Sequence, residues 1–226
     1  MSIAALVTMA RSPRAGARAA LDHGSALLAF VLLAVSSVAS ALSATRIAQA
    51  TNVNDLFFSQ TRQPWVQTLI DQLGPERTAV ILYLVQRSFD AVIVATAFSP
   101  IFVWLLGSSA IHASARIAGI RRPYLPLLLL FAYATALTLI PANVATLMLG
   151  AGEGAGPRIA SLIGWACILW LGLIAFRSVE AHYGVSGDKA FRILAIAVVL
   201  FYFAPLVVIV LAAVAIVVAA LVLNYF

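Results

Sequence analysis

Long apolar runs constrain this chain more than any other feature of its sequence. Runs of about 20 mostly apolar residues recur along the 226 residues, and arginines and short polar loops separate them. A helix needs about 20 apolar residues to cross the hydrocarbon core of a bilayer. Only 10% of the residues are charged and 63% are hydrophobic, whereas a soluble domain carries about 25% charged residues. The composition excludes a disordered protein, disfavours a soluble one, and predicts an all-α, polytopic transmembrane helix bundle.

The runs predict one membrane domain, residues 25–226, behind a basic cytoplasmic segment of residues 1–24. The predicted spans are residues 25–45, 91–112, 124–149, 158–177 and 201–223. A further helix at 64–73 begins with Pro64 and carries Trp65 on an apolar face, which is typical of a helix that lies flat at the headgroups. Packing of this helix against the end of the bundle is the alternative.

Two stretches are too long for one straight span. Residues 79–115 would reach about 55 Å as a helix, against a hydrocarbon core of about 30 Å. The polar cluster at 86–90 and the proline at 100 offer two breaks, and we expect the chain to enter the second span from a surface helix that ends at the cluster. For 190–223 we expect one span entered at Pro205, with two short spans as the alternative.

The distribution of charge predicts the orientation. With the N-terminus in the cytoplasm, the cytoplasmic segments hold nine of the Arg and Lys residues and three acids, and the opposite side holds five of each. The whole net charge of +6 then lies on one side, as the positive-inside rule requires. We expect a multi-pass protein with a cytoplasmic N-terminus, and the Ala- and Arg-rich composition indicates a bacterial inner membrane.

Sequence motifs for catalysis are absent. The chain contains neither H-E-x-x-H nor G-x-S-x-G, and the glycines at 150–156 do not fit G-x-G-x-x-G. Cys167 is the single cysteine, which precludes an internal disulfide. The basic residues flank apolar runs, which favours a role in orientation over nucleic-acid binding. We expect no enzymatic activity, no catalytic residues, no cofactor, no bound metal and no nucleic-acid partner.

One group of polar residues is expected to gather at the cytoplasmic ends of the second and fourth spans. It consists of His112, Arg116, Arg121, Arg122, Glu180 and His182. We expect this group to bind an anionic lipid headgroup or an acidic segment of a partner. The alternative is a set of helix-terminal residues that complement the helix dipole and reach water, and a metal site is a third, less favoured interpretation.

A second group of candidate residues, an ion pair, lies in the stretch 79–115, which is too long for one span. Arg87 and Asp90 are three residues apart and can pair on one helix face. An ion pair inside the membrane indicates a transport path, so a small transporter or permease subunit that uses this pair is the alternative function. A pair at the membrane interface, which we favour, needs no such role.

Several short motifs resemble the Yip family, the Ypt/Rab-interacting membrane proteins with five spans. They are Ser12-Pro13-Arg14, the segment from Ile111 to Gly119 with its H-x-x-x-R-x-x-G pattern, Ala132-Tyr133-Ala134 followed by Pro141, and the segment from Glu180 to Ala190. The acidic N-terminal segment of the eukaryotic members is absent here, as in a bacterial-type member. The resemblance implies a non-enzymatic membrane protein that organises or assists other membrane components. We expect an accessory subunit of a larger complex that contacts lipids and other membrane proteins.

Overall fold

The computed structural model describes residues 3–50, 64–150 and 154–225, and within these ranges the chain is helical and contains no strand. The helices are α1 (Ile3–Arg11), α2 (Pro13–His23), α3 (Ala26–Ala50), α4 (Pro64–Leu73), α5 (Pro75–Ala97), α6 (Ser99–Ile117), α7 (Leu125–Leu149), α8 (Gly156–Tyr183) and α9 (Gly187–Tyr225). Five of them contain stretches long and apolar enough to cross a membrane: α3, α5, α7, α8 and the Gly187–Val207 part of α9. The predicted all-α polytopic bundle is confirmed.

The helix boundaries within residues 79–115 differ from our expectation. Helix α5 runs without interruption through the polar cluster at 86–90, where we expected a break. The side-chain amide of Gln86 donates to the carboxylate of Asp90 at 3.2 Å, so the helix gives this carboxylate a partner one turn away. The chain breaks at Phe98, directly before the first turn of α6, which is next to the second break that the sequence offered, at Pro100. Pro100 lies in that turn, where its missing N–H breaks no helical hydrogen bond. The predicted span at 91–112 is therefore wrong in its bounds, because this break divides it between α5 and α6, and the stretch that qualifies as a span is Pro75–Ala97.

The last apolar run forms one helix rather than two. Helix α9 continues through Pro205, so the chain does not turn back within the described part of 190–223. The stretch that qualifies as a span, Gly187–Val207, begins earlier than the predicted span at 201–223. Helix α4 has the bounds that we predicted. The depth of each helix in the membrane, and the flat position of α4, stay predictions.

One compact unit consists of Met1–Ala29, Phe102–Ala134 and Gly172–Phe226. Its core combines large residues of α6, α7, α8 and α9 with small ones. The large members are Ile111, Leu127, Phe131, Val179, Tyr183 and Ile193, and the small ones are Ala110, Ala115, Ala175, Ala190 and Ala197. Small residues let helix backbones approach closely in lipid, where packing rather than water drives association.

The other unit consists of Phe30–Ile101 and Thr135–Leu171, and hydroxyl groups are prominent among its helix contacts. Ser36, Ser40 and Ala44 are spaced four apart on α3 and are all buried. The hydroxyl of Ser40 donates to the carbonyl oxygen of Thr96 at 2.7 Å, and Ser43 Oγ lies 3.0 Å from Asn143 Oδ1. Hydrogen bonds of this kind join helices in an apolar surrounding.

The most deeply buried aromatic side chain of the first unit, that of Tyr133, forms hydrogen bonds with the backbone just before α3. Tyr133 is fully buried. Its hydroxyl donates to the carbonyl oxygen of Ser25 at 3.0 Å and accepts from the N–H of the same residue at 2.9 Å. The N–H groups that precede a helix have no partner within it, so this tyrosine satisfies a group that would otherwise be buried without a hydrogen bond.

We expect Tyr133→Phe to lower the stability of the protein by about 1–3 kcal/mol, because it leaves the backbone N–H of Ser25 without its partner, whereas the carbonyl oxygen of Ser25 still accepts from the N–H of Ala29 at 3.0 Å. The measurement is thermal unfolding in mild detergent. Tyr202→Phe is the matched control, since the side chain of Tyr202 is exposed, and it should leave the unfolding temperature unchanged. Equal unfolding temperatures for the two variants would contradict this role of Tyr133.

Candidate lipid- or partner-binding surface

Two helix ends and one loop of the first unit carry the predicted site. Helix α6 ends just after His112 and Arg116, and the loop to α7 carries Arg121 and Arg122. Helix α8 ends just after Glu180 and His182. All six residues therefore belong to the same compact unit.

A glycine turn fixes where the basic loop leaves α6. Gly119 has a positive φ of 77°, a conformation that glycine adopts without steric cost. The N–H of Gly119 bonds to the carbonyl oxygen of Arg116 at 3.0 Å, and the N–H of Ile120 bonds to that of Ala115 at 2.9 Å. These two bonds form a Schellman motif, which satisfies the last carbonyls of the helix. Gly184, with φ of 65°, ends α8 with the simpler αL cap, in which its N–H bonds to the carbonyl oxygen of Glu180 at 3.0 Å.

Tyr183 joins the two histidines. It is buried, and its hydroxyl lies 3.1 Å from Nδ1 of His112. The ring of His182 meets the ring of Tyr183 edge to face, with the centroids 4.6 Å apart. Residues from α6 and α8 that are 71 positions apart are thus brought together by one tyrosine.

Tyr124, at the entry to α7, completes this cluster. Its ring centroid lies 5.0 Å from that of His112. Its hydroxyl lies 2.9 Å from Ser108 Oγ and 2.8 Å from Ser109 Oγ. We call His112, Tyr124, His182 and Tyr183 the His–Tyr cluster.

His182 also anchors the basic loop directly. Its Nε2 lies 3.0 Å from the carbonyl oxygen of Pro123. A carbonyl oxygen only accepts hydrogen bonds, so Nε2 must carry the proton in this contact. The residue after Arg122 is therefore tied to the end of α8, which holds the loop in place.

Glu180 is engaged elsewhere than in the His–Tyr cluster. Its carboxylate lies 2.7 Å from the guanidinium of Arg177, one turn earlier on α8. The same guanidinium lies over the ring of Phe176, 5.3 Å from its centroid. Among the described residues, no three His, Cys, Asp or Glu side chains come together as a metal site would need.

The three arginines at the end of α6 and on the loop after it are exposed. Arg116, Arg121 and Arg122 are all at the surface, and the ion pairs within the described residues join other partners. We call these three residues the basic surface. It combines unpaired positive charge with a backbone that the glycine turn and the His182 contact hold fixed.

The transport pair lies on an exposed face of α5, in the other unit. A distance of 3.9 Å separates the guanidinium of Arg87 from the carboxylate of Asp90, and the two side chains are 65% and 48% exposed. Nε of Arg87 donates to the hydroxyl of Tyr83 at 3.1 Å. The pair lies inside an apolar stretch that qualifies as a span by length and composition, and its expected position at the interface stays a prediction.

Sequence reasoning missed both tyrosines of the His–Tyr cluster. Tyr183 follows His182 directly, and Tyr124 follows Pro123 just before α7. Neither tyrosine belongs to a spacing pattern that would identify it as part of a site. Their partners on α6 are distant in sequence. The only available signal is an aromatic hydroxyl next to the end of an apolar run, which is typical of membrane interfaces generally.

The helices and their apolar stretches define the class: this is an integral, multi-pass helical membrane protein. The model of the Yip1 domain matches residues 7–209, and the chain belongs to that family. No curated protein and no solved structure matches the chain. The family resemblance noted in the sequence is confirmed.

Proposed function

We propose that this protein is a non-enzymatic accessory protein of the bacterial inner membrane that organises or assists other membrane components, with its N-terminus in the cytoplasm. The basic surface is its contact site and takes anionic lipid or an acidic segment of a partner membrane protein. The observation that carries the proposal is the exposure of Arg116, at the end of α6, and of Arg121 and Arg122, on the loop that His182 holds in place. None of the three forms an ion pair within the described residues.

The chemistry of the surface fits an anionic partner. Arginine presents a planar group of donors that matches carboxylate and phosphate oxygens. Each Lys or Arg beside an anionic leaflet contributes about 1 kcal/mol to association. Glu180, the one acid of the predicted site, is paired with Arg177, so its negative charge is already compensated.

Co-purification tests this function. Replacing Arg116, Arg121 and Arg122 by Gln should remove the proteins that accompany the parent through mild-detergent purification. The matched control replaces three exposed arginines predicted on the opposite side, Arg46, Arg77 and Arg158, and should retain them. If both triple variants keep the same companions as the parent, the basic surface is only an orientation signal. Orientation is measured in parallel, because these arginines also contribute to it.

A small transporter or permease subunit is the second candidate function, and one observation favours it. The Arg87–Asp90 pair lies within an apolar span candidate, and ionisable residues at such positions commonly mark ion or substrate paths. A double replacement by Gln and Asn should then abolish flux of a permeant ion or solute into proteoliposomes. Unchanged flux, or no flux in the parent, would contradict transport through this pair.

A further inference from the structure

A cavity of about 430 Å³ lies beside the first turns of α9 in the first unit. Its volume falls in the range of about 300–1,000 Å³ that is usual for ligand pockets. The residues that matter for its chemistry are Ala118, Asp188, Lys189, Arg192, Ile193 and Ile196. None of them belongs to the basic surface or to the His–Tyr cluster.

The polar end of the cavity carries net positive charge. Lys189 and Arg192 are exposed and line it together with one acid, Asp188. Neither cation takes part in an ion pair within the described part of the chain. Two unpaired cations against one carboxylate leave a site that attracts an anion.

The other end of the cavity is apolar and lies further along the same helix. Lys189, Ile193 and Ile196 are spaced at i, i+4 and i+7, so they share one face of α9. From Lys189 to Ile196 the helix rises about 10 Å. This part of α9 belongs to the Gly187–Val207 stretch that qualifies as a membrane span, so the cations stand at its end and the isoleucines follow toward its middle.

We propose that this cavity binds one anionic phospholipid, with the phosphate at Lys189 and Arg192 and the start of an acyl chain against Ile196, beside the largely buried Ile193. The order of charge and then apolar surface along one helix face matches the order of headgroup and chain in a lipid. A free phosphate would use only the cationic end and leave Ile196, which is 38% exposed, uncovered. The site is independent of the proposed function.

Native mass spectrometry of protein reconstituted in mixed phosphatidylglycerol and phosphatidylcholine vesicles, then extracted in mild detergent, tests the site. The parent should retain one phosphatidylglycerol per chain in preference to phosphatidylcholine. Each cation beside an anionic headgroup contributes about 1 kcal/mol, or about fivefold in affinity. We therefore expect the double variant Lys189→Gln, Arg192→Gln to retain the lipid roughly 25-fold more weakly. Asp188→Asn should change it in the opposite direction and strengthen retention, by up to about fivefold.

Two further measurements distinguish the binding of a lipid from the binding of a free anion and from an effect of net charge alone. Ile196→Ser should weaken phosphatidylglycerol retention although it changes no charge, and millimolar inorganic phosphate should not displace the lipid. Arg46→Gln with Arg158→Gln, which removes as much charge from exposed positions elsewhere, should retain the lipid as the parent does. Circular dichroism and gel filtration confirm that each variant is folded.

The proposal is overturned if the parent retains no phosphatidylglycerol, if phosphatidylcholine is retained equally, or if the Lys189 and Arg192 variant binds as the parent does. Displacement by inorganic phosphate alone would identify a free anion as the ligand and would also overturn it. The basic surface has its own variant. If the Arg116, Arg121 and Arg122 variant loses the co-purifying proteins but retains the lipid, the lipid site in the cavity is unaffected. If the Lys189 and Arg192 variant loses the lipid but retains those proteins, the proposed function is unaffected.

Discussion

Replacing Gly16 by alanine should open the hairpin that α1 and α2 form. A Cβ at position 16 would occupy the space of backbone atoms of Met9, which is completely buried in this contact. A side chain can rotate away from such a clash, but the backbone of α1 cannot. The two helices must therefore separate and expose Met9. Overpacking of this kind costs about 1–3 kcal/mol even where side chains can yield, so this is the most damaging single-methyl change that we expect.

Limited trypsin digestion reports the opening of this hairpin. Arg11 and Arg14 flank the turn between the two helices, and cleavage there should become much faster in Gly16→Ala. Gly164→Ala and Gly172→Ala are the controls, because a Cβ at either helical position meets nothing within 4 Å. Alanine replaces glycine in a helix with a gain of about 1 kcal/mol, so these variants should be at least as stable as the parent. Parent-like cleavage of Gly16→Ala would show that the hairpin is not packed as described.

Replacing Arg116, Arg121 and Arg122 together by Gln should weaken the binding of anionic lipid on the order of 100-fold. The estimate rests on about 1 kcal/mol for each cation near an anionic surface and on tenfold in affinity for every 1.4 kcal/mol. The measurement is the dissociation constant of a short-chain phosphatidylglycerol for the detergent-purified protein, with parent and variant both carrying Lys189→Gln and Arg192→Gln so that the cavity beside α9 does not contribute. Because salt screens exposed charges, the difference between parent and variant should narrow as salt is raised.

The triple replacement of Arg46, Arg77 and Arg158 is the matched control for this titration. It removes the same formal charge from exposed positions, and it should change the dissociation constant far less. Equal losses in the two triple variants would mean that net charge, rather than the basic surface, governs lipid binding. Equal affinity of the parent and the Arg116, Arg121 and Arg122 variant would contradict lipid binding by the basic surface.

The fold class follows from the sequence because the membrane leaves little choice. Runs of about 20 apolar residues can satisfy their backbone in lipid only as helices, and the breaks that proline and glycine impose are local. Helix α4 begins at Pro64 and ends before Gly74-Pro75 for this reason. The end of α7 at Leu149, before Gly150, is equally local.

The break expected at 86–90 was wrong because it was inferred from side-chain polarity, whereas the proline at 100 correctly indicated a break. The residues at 86–90 look like an interruption in an apolar run. On a helix, however, Gln86 and Asp90 stand one turn apart and bond to each other, which removes the reason to break. The chain breaks at Phe98, before Pro100, where backbone chemistry rather than side-chain polarity decides.

The site was only partly predictable, because its geometry depends on contacts between distant residues. The histidines at the ends of α6 and α8 could be recognised from their places beside apolar runs. That Tyr183 lies against both of them depends on how α6 and α8 pack, and no spacing in the sequence encodes it. The cavity beside Lys189 arises in the same way, since Ala118 comes from the turn after α6.

Cysteine accessibility tests most directly whether the basic surface faces the cytoplasm. In a background with Cys167→Ser, single cysteines replace three exposed residues, Ser12, Ala155 and Ser186. In intact cells, a maleimide that does not cross the inner membrane should label position 155 and should reach positions 12 and 186 only after permeabilisation. Labelling of 12 and 186 in intact cells, with 155 protected, would place the basic surface on the opposite side and contradict the proposed function.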